Sequence, residues 1–267
     1  RDSHNYARTL TVAGTTAEII DGTGSKTGYT LDGTVWIADA SNITAKFTSI
    51  TGGYLYTLPD NTREIYDSNK RLKRIEYLGG GAVNLTYNGS GLLQTVTDEN
   101  NRSLTLTYAG GRVATVATPE GTFSYSYDGN GNLTEVTKPG SVTREYHYED
   151  TSFVNALTGI TDENGLRFST YGYDTQGRAV LSKHIGDVDS YEIDYNASSV
   201  TTTNPLGKET TYFFDDIKGV NRITQVNGHA SANCVASNHL YNYDDNGWVL
   251  SKTDWEGNTT RFTRNSR

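Results

Sequence analysis

Apolar and polar residues alternate along this chain in short runs that carry the two-residue period of half-buried strands. Val83, Leu85 and Tyr87, then Leu104, Leu106 and Tyr108, then Phe123, Tyr125 and Tyr127, and later Tyr191, Ile193 and Tyr195 each set three large side chains on one strand face. The strand that follows restarts with a different spacing. Leu72 and Ile75, Leu93 and Val96, Val113 and Val116, Leu133 and Val136, Leu157 and Ile160, and Ile223 and Val226 lie three apart. Both members of such a pair can share a face only if one extra residue is accommodated between them, so the offset predicts a β-bulge just past each turn. No stretch of useful length has the helical period. The pattern predicts an all-β chain of successive antiparallel strands, apolar on one face and rich in Thr, Ser, Asn and charge on the other.

The turns are as regular as the strands. In the stretch Tyr127 to Thr137, Tyr127 ends one strand, and Asp128 can accept a backbone N–H two residues on. Gly129 and Gly131 tolerate positive φ, and Leu133 with Val136 resumes the apolar pattern. Related turns follow Tyr66-Asp67, Tyr87-Asn88, Tyr108-Ala109, Tyr148-Glu149, Tyr173-Asp174, Tyr195-Asn196, Phe214-Asp215 and Tyr243-Asp244. The spacing is about 22 residues, the period of stacked supersecondary units. A second series falls roughly halfway between them: Asp98 to Asn101, Thr118 to Gly121, Lys138 to Gly140, Asp162 to Gly165, Asn204 to Gly207 and Asp254 to Gly257. Each unit thus holds two strands and two turns. Residues 63–267 are expected to form a ribbon of about nine such units. Residues 1–62 are β-like but irregular, with apolar groups at Leu10 and Val12, Val35 to Ile37, and Tyr54 to Leu58. A ribbon with one bare apolar face is sticky, so it must curl, stack on itself or close around something.

Composition supports a thin sheet over a thick core. Only 34% of the 267 residues are apolar, while Gly (28) and Tyr (19) are abundant and Met is absent. Tyrosine suits such a sheet because its ring favours strands and its hydroxyl can remain wet. The formal net charge of -8 excludes a phosphate-neutralising surface, so no nucleic-acid partner is expected. The one basic run, Asn69 to Arg74, reads as a solvated strand face. Cys234 is the single cysteine, which rules out an internal disulfide and a multi-cysteine metal site. No apolar run approaches the roughly 18 residues of a membrane-spanning helix. Arg1 to His4 does not read as a secretory leader, and the expectation is a segment that begins inside a longer protein.

Candidate chemistry is sparse. There is no His-Glu-x-x-His, Gly-x-Ser-x-Gly or glycine-rich phosphate loop, so no enzyme and no cofactor are expected. The turn acids Asp67, Asp128, Asp174 and Asp244 recur at one place in each unit, whereas catalytic residues are normally singular. Asp128, Asn130 and Asn132 have the spacing of the first calcium ligands of an EF-hand loop, but Leu133 and Pro139 stand where that loop needs Gly and Glu. The longest insertion, Gly228 to Ser237, is small and polar and reads as a surface loop, with His229, Cys234 and His239 as a weak metal or nucleophile constellation. Trp248, just past one turn, and Trp255, within another, are the candidate ligand-facing aromatics, and a glycan is the ligand they would suit.

The unit Tyr127-Asp128-x-x-Gly131-x-Leu133-x-x-Val136-Thr137 is echoed by Tyr173-Asp174-x-x-Gly177-Arg178-x-Val180 and by Tyr243-Asp244-x-x-Gly247-x-Val249. It resembles the YD repeat of Rhs proteins, with relatives among Tc-toxin components and teneurins, over residues 66 to 267. His4-Asn5-Tyr6 and Tyr56-x-Leu58-Pro59-Asp60 are similar to the segment that precedes the repeats in such proteins. Tyr108-Ala109-Gly110-Gly111 drops the acid and Tyr148-Glu149-Asp150 lacks the glycine, which loosens register at those two units. The resemblance implies a β ribbon spiralling into a curved or hollow shell. In Rhs and Tc proteins such a shell encloses a toxic C-terminal segment; in teneurin-like relatives it serves adhesion. It further implies a secreted or cell-surface bacterial protein, whose partners are further repeats and a toxin domain of the same polypeptide or a companion shell subunit. The structural repeat positions would be Tyr66, Tyr87, Tyr108, Tyr127, Tyr148, Tyr173, Tyr195, Phe214 and Tyr243, with Asp67, Asp128, Asp174 and Asp244 and with Gly131, Gly177 and Gly247 at the turns. The Asp-Pro-rich block at which the family's toxins are cut free has no counterpart here, so this segment is expected to carry no toxin.

Overall fold

The computed structural model describes residues 6–232 and 235–264. They form twenty-five β-strands and one short 3-10 turn, Ile185–Asp187, with no α-helix among the described residues. Contacts divide the chain into two compact units: residues up to Ser126 with Val136–Val142, and Tyr127–Glu135 with the residues from Thr143 onward.

The first unit begins with a four-stranded antiparallel sheet made of β1 (Thr9–Ala13), β2 (Thr16–Ile20), β3 (Lys26–Asp32) and β4 (Val35–Ala38), paired in chain order. A second antiparallel ladder then starts at β5 (Lys46–Ile50). It continues through β6 (Gly53–Thr57), β7 (Arg63–Asp67), β8 (Leu72–Glu76), β9 (Ala82–Tyr87), β10 (Leu93–Asp98), β11 (Ser103–Ala109), β12 (Arg112–Thr118) and β13 (Gly121–Tyr127). Each strand pairs with the next, because the short turns allow nothing else.

The predicted bulges are present. Tyr66 faces Leu72 but Ile65 faces Arg74, leaving Lys73 unopposed; Tyr87 faces Leu93 while Thr86 faces Thr95; Tyr108 faces Val113 while Thr107 faces Thr115. The extra residue restores the face, so that Leu72 with Ile75 and Leu93 with Val96 are all buried.

The apolar face of this ladder is covered by the first sheet. Leu10, Ile19, Tyr29 and Trp36 join Phe47, Tyr56, Tyr66, Leu72, Ile75, Leu85, Leu93 and Val96 in one buried cluster. The ring of Phe47 lies at its centre, 5.2 Å from Trp36, 5.4 Å from Tyr54 and 5.5 Å from Tyr29. Polar atoms of the cluster are satisfied: Trp36 Nε1 donates to Ser49 Oγ at 2.9 Å and the Tyr29 hydroxyl to the Ala45 carbonyl at 2.9 Å. Each such large side chain removed from water contributes on the order of 1.5–3 kcal/mol.

Next in sequence come β14 (Leu133–Lys138) and β15 (Val142–His147). The second unit carries the ladder β16 (Gly159–Thr161), β17 (Arg167–Tyr173), β18 (Ala179–His184), β19 (Tyr191–Tyr195), β20 (Ser199–Thr203), β21 (Glu209–Ile217), β22 (Val220–Gly228), β23 (Ser237–Tyr243), β24 (Val249–Thr253) and β25 (Thr259–Arg261), again antiparallel and in chain order. Bulges recur past its turns, between Gly172 and Tyr173, Phe213 and Phe214, and Asn242 and Tyr243. Among its described residues no large apolar side chain is fully buried; the buried side chains are Thr158, Ser169, Thr211 and Ser251.

Candidate functional site: the repeated tyrosine turn

One five-residue turn recurs at both ends of the ribbon. In the copy that begins at Asp128, the Asp128 N–H donates to the Asn132 carbonyl at 3.0 Å and the Gly131 N–H donates back to the Asp128 carbonyl at 3.1 Å. The side chain completes it: Asp128 Oδ1 accepts the N–H of Asn130 at 2.9 Å and that of Asn132 at 2.8 Å. The same four bonds are made from Asn88, Asp98, Asp162, Asp174, Asn204, Asp244 and Asp254. The tyrosine series and the halfway series are therefore one device. Its fourth residue has φ between 60° and 85° in these eight copies, which explains Gly131, Gly165, Gly177, Gly207, Gly247 and Gly257; among the eight, Asn101 alone takes that conformation without being glycine.

This geometry consumes the turn carboxylates. The Asn132 side-chain amide, aided by the backbone N–H groups of Asn132, Asn130 and Gly131, holds the Asp128 carboxyl below its usual range. Asp98, Asp162, Asp174 and Asp254 are lowered too, chiefly by the N–H of the fifth turn residue. Oxygens turned into their own backbone offer little to a cation, and among the described residues no group of three or more His, Cys, Asp or Glu is placed to hold a metal. Cys234 lies outside the described residues. Of its neighbours in sequence, His229 pairs through Nε2 with Thr211 Oγ1 at 2.9 Å.

The tyrosines do something the sequence did not disclose. The expectation of a wet hydroxyl fails at four repeat positions, where the hydroxyl donates to a backbone carbonyl of the preceding hairpin. Tyr87 reaches Leu72 at 2.7 Å, Tyr108 reaches Leu93 at 2.7 Å, Tyr173 reaches Leu157 at 2.8 Å and Tyr243 reaches Ile223 at 2.6 Å. Each acceptor is the first member of an offset apolar pair. At Leu72 the pairing of β8 with β9 has already stopped at Arg74, and there the phenol of Tyr87 ties β9 to β8 in place of a ladder bond. Burial, with the Asp67 charge nearby, pushes the Tyr87 hydroxyl up to about 12, so the donor keeps its proton. The acceptor precedes its tyrosine by 15, 15, 16 and 20 residues, and only the spacing of offset pair and tyrosine is visible in the sequence, not the bond between them.

The remaining repeat positions vary the theme. Tyr66 is fully buried and donates instead to Glu64 Oε2 at 2.6 Å. Tyr195 carries the Arg178 guanidinium 4.2 Å above its ring, as Tyr87 carries Arg71 at 5.2 Å; each arginine also pairs with its own turn acid, Asp174 or Asp67. Tyr127, Tyr148 and Phe214 are half-buried. Where the motif breaks, at Glu149, a different clamp replaces the turn. Arg167 donates to both Glu149 oxygens, at 3.0 and 2.9 Å, and to the Thr158 carbonyl at 3.0 Å, and that double contact draws the Glu149 carboxyl down to about 2. Trp248 and Trp255 are both more than half exposed, with Arg264 5.3 Å over the Trp248 ring.

The chain is similar to several known proteins. The family model described as RHS Repeat matches residues 87–122 and 109–143. The tRNA3(Ser)-specific nuclease WapA of Bacillus spizizenii is 26% identical over 197 residues, which is 73% of this chain and 8% of WapA, so the chain spans a small part of that relative. Among solved structures, TcdB2-TccC3-TEV aligns over 89% of this chain and 16% of its own, with 13% identity and a TM-score of 0.45. The Tc holotoxin pore of Photorhabdus luminescens aligns over 93% of this chain and 20% of its own, with 10% identity and a TM-score of 0.33.

Proposed function

We propose that this chain, which belongs to the Rhs/YD-repeat family, is a non-catalytic wall segment of a longer secreted or cell-surface protein, and that the wall encloses a C-terminal toxin of the same polypeptide until delivery. The observation that carries this reading is the latched ladder. Antiparallel strands, a recurring five-residue turn and hydroxyl-to-carbonyl bonds repeat so that backbone groups are paired within the sheet, and the wall works by exclusion. The repeat tyrosines and turn residues build the wall; no single one of them acts on a substrate. Its partners are then further repeats, or a companion shell subunit, and the enclosed segment.

The test is protease protection in the full polypeptide. A segment downstream of the repeats is expected to survive a protease dose that digests it when expressed alone, and to lose that protection when Tyr173→Phe and Tyr243→Phe are combined. Equal digestion of enclosed and free segment would end the proposal.

The exposed rings of Trp248 and Trp255 support a second reading, a glycan-binding outer surface. It predicts binding on a glycan array that Trp248→Ala and Trp255→Ala both weaken; an array without a binder removes it.

A further inference from the structure

The first unit contains one buried ionic group that the repeat does not require. Glu64, on β7, is 2% exposed, and its two oxygens are divided between different partners. Oε2 accepts the Tyr66 hydroxyl at 2.6 Å, and Oε1 accepts Arg8 Nε at 2.9 Å from the segment leading into β1. Tyr66 is thereby the exception among the latched tyrosines: its hydroxyl goes to a side chain instead of a preceding carbonyl. Glu64 stands directly opposite Tyr56 in the ladder and two residues from Tyr66, so it occupies a position of the apolar face that Tyr56 and Tyr66 share. A charge there costs free energy unless it is paired. The group that pairs it comes from outside the ladder.

We infer that Arg8, Glu64 and Tyr66 form a key that seats the N-terminal sheet β1–β4 on the apolar face of the ladder in one register, making that sheet the cap of the repeat array. The aromatic cluster around Phe47 supplies attraction that is largely non-directional, and its directed bonds, from Trp36 to Ser49 and from Tyr29 to Ala45, tie the sheet only to β5 and the residue before it. A buried carboxylate that must meet one guanidinium and one phenol accepts a single placement. The cap in turn covers what an end of a stacked array cannot cover for itself.

Hydrogen exchange on the whole chain tests this. Arg8→Ala is expected to speed amide exchange in Thr9–Ile20 by about tenfold or more, with β9–β12 changing by less than about threefold. A second variant separates the key from the burial penalty: Arg8→Met with Glu64→Met and Tyr66→Phe removes every charge and polar atom of the network while keeping its bulk. That triple variant is expected to stay folded, with β9–β12 protected, and still to exchange rapidly across β1–β4. The inference is overturned if Arg8→Ala leaves Thr9–Ile20 at the parent rate, or speeds both regions alike. It is equally overturned if the triple variant restores parent protection to β1–β4, because the network would then be a tolerated charge and no key.

Discussion

The two units are made of the same turn, the same bulge and the same tyrosine latch, yet among the described residues only the first has a core of buried large apolar side chains. Every fully buried large apolar side chain among the described residues lies between Leu10 and Val113. In the second unit Tyr173, Ile193, Tyr195, Phe214 and Tyr243 occupy the equivalent strand positions and remain half-buried. The difference is a second layer: β1–β4 lie on the first ladder's apolar face. Local chemistry therefore suffices to make a ribbon, whereas burial needs something to pack on it.

Core truncation separates the units most sharply. Leu72→Ala, at a side chain with no exposure, is expected to cost about 3 kcal/mol. Leu157→Ala, at the matching place in the second unit, should cost about 1 kcal/mol. Equal losses in urea unfolding would show that the second unit hides a core of its own.

The Glu149 clamp comes next. A Cβ on Gly159 would meet the Arg167 guanidinium, which lies across that glycine on its way to Glu149. Gly159→Ala is expected to cost about 2 kcal/mol, and most of that should disappear when Arg167→Ala is added, because the obstructing group has gone. Additive losses in the double variant would place the strain in the backbone instead.

The latch should not distinguish the units. Tyr87→Phe in the first and Tyr243→Phe in the second each leave one carbonyl without its phenol, and each is expected to cost about 1 kcal/mol. A much larger loss at Tyr87 would mean that the value of the latch depends on the covering layer.

The smallest effect per residue is acid sensitivity, and it should fall unevenly. Carboxyls whose folded pKa is depressed contribute stability that is present above their unfolded pKa of about 4 and lost as pH falls through the folded value. The first unit holds Asp21 and Asp98 of this kind; the second holds Asp128, Asp162, Asp174 and Asp254, and Glu149 at about 2. Between pH 4.5 and 2 the second unit is expected to loosen first. Single-tryptophan variants retaining either Trp36 or Trp248 report on the two units separately, and earlier loss at Trp36 would reverse the assignment.

Much of this was legible in the residues. The alternation ending at Tyr87 and Tyr108 implied strands, and the three-residue offsets after them implied bulges that the registers contain. Asp128 with Gly131 implied a turn whose bonds are those observed. The hydroxyl latch was missed because the phenol's partner is a backbone carbonyl, which has no letter in the sequence. Glu64 was missed because a carboxylate on an otherwise apolar face reads as an interruption until its distant partner Arg8 is in view.

What the sequence determined by itself is everything set by neighbours within one hairpin: period, turn, bulge and the sidedness of the ribbon. These rest on steric and hydrogen-bond preferences that act over a few residues. Only the tertiary structure decided which part of the apolar face is covered. That β1–β4 fold onto the strands from Phe47 to Val96 depends on contacts between residues far apart in the chain, as Arg8 and Glu64 are, and such contacts leave no period to read.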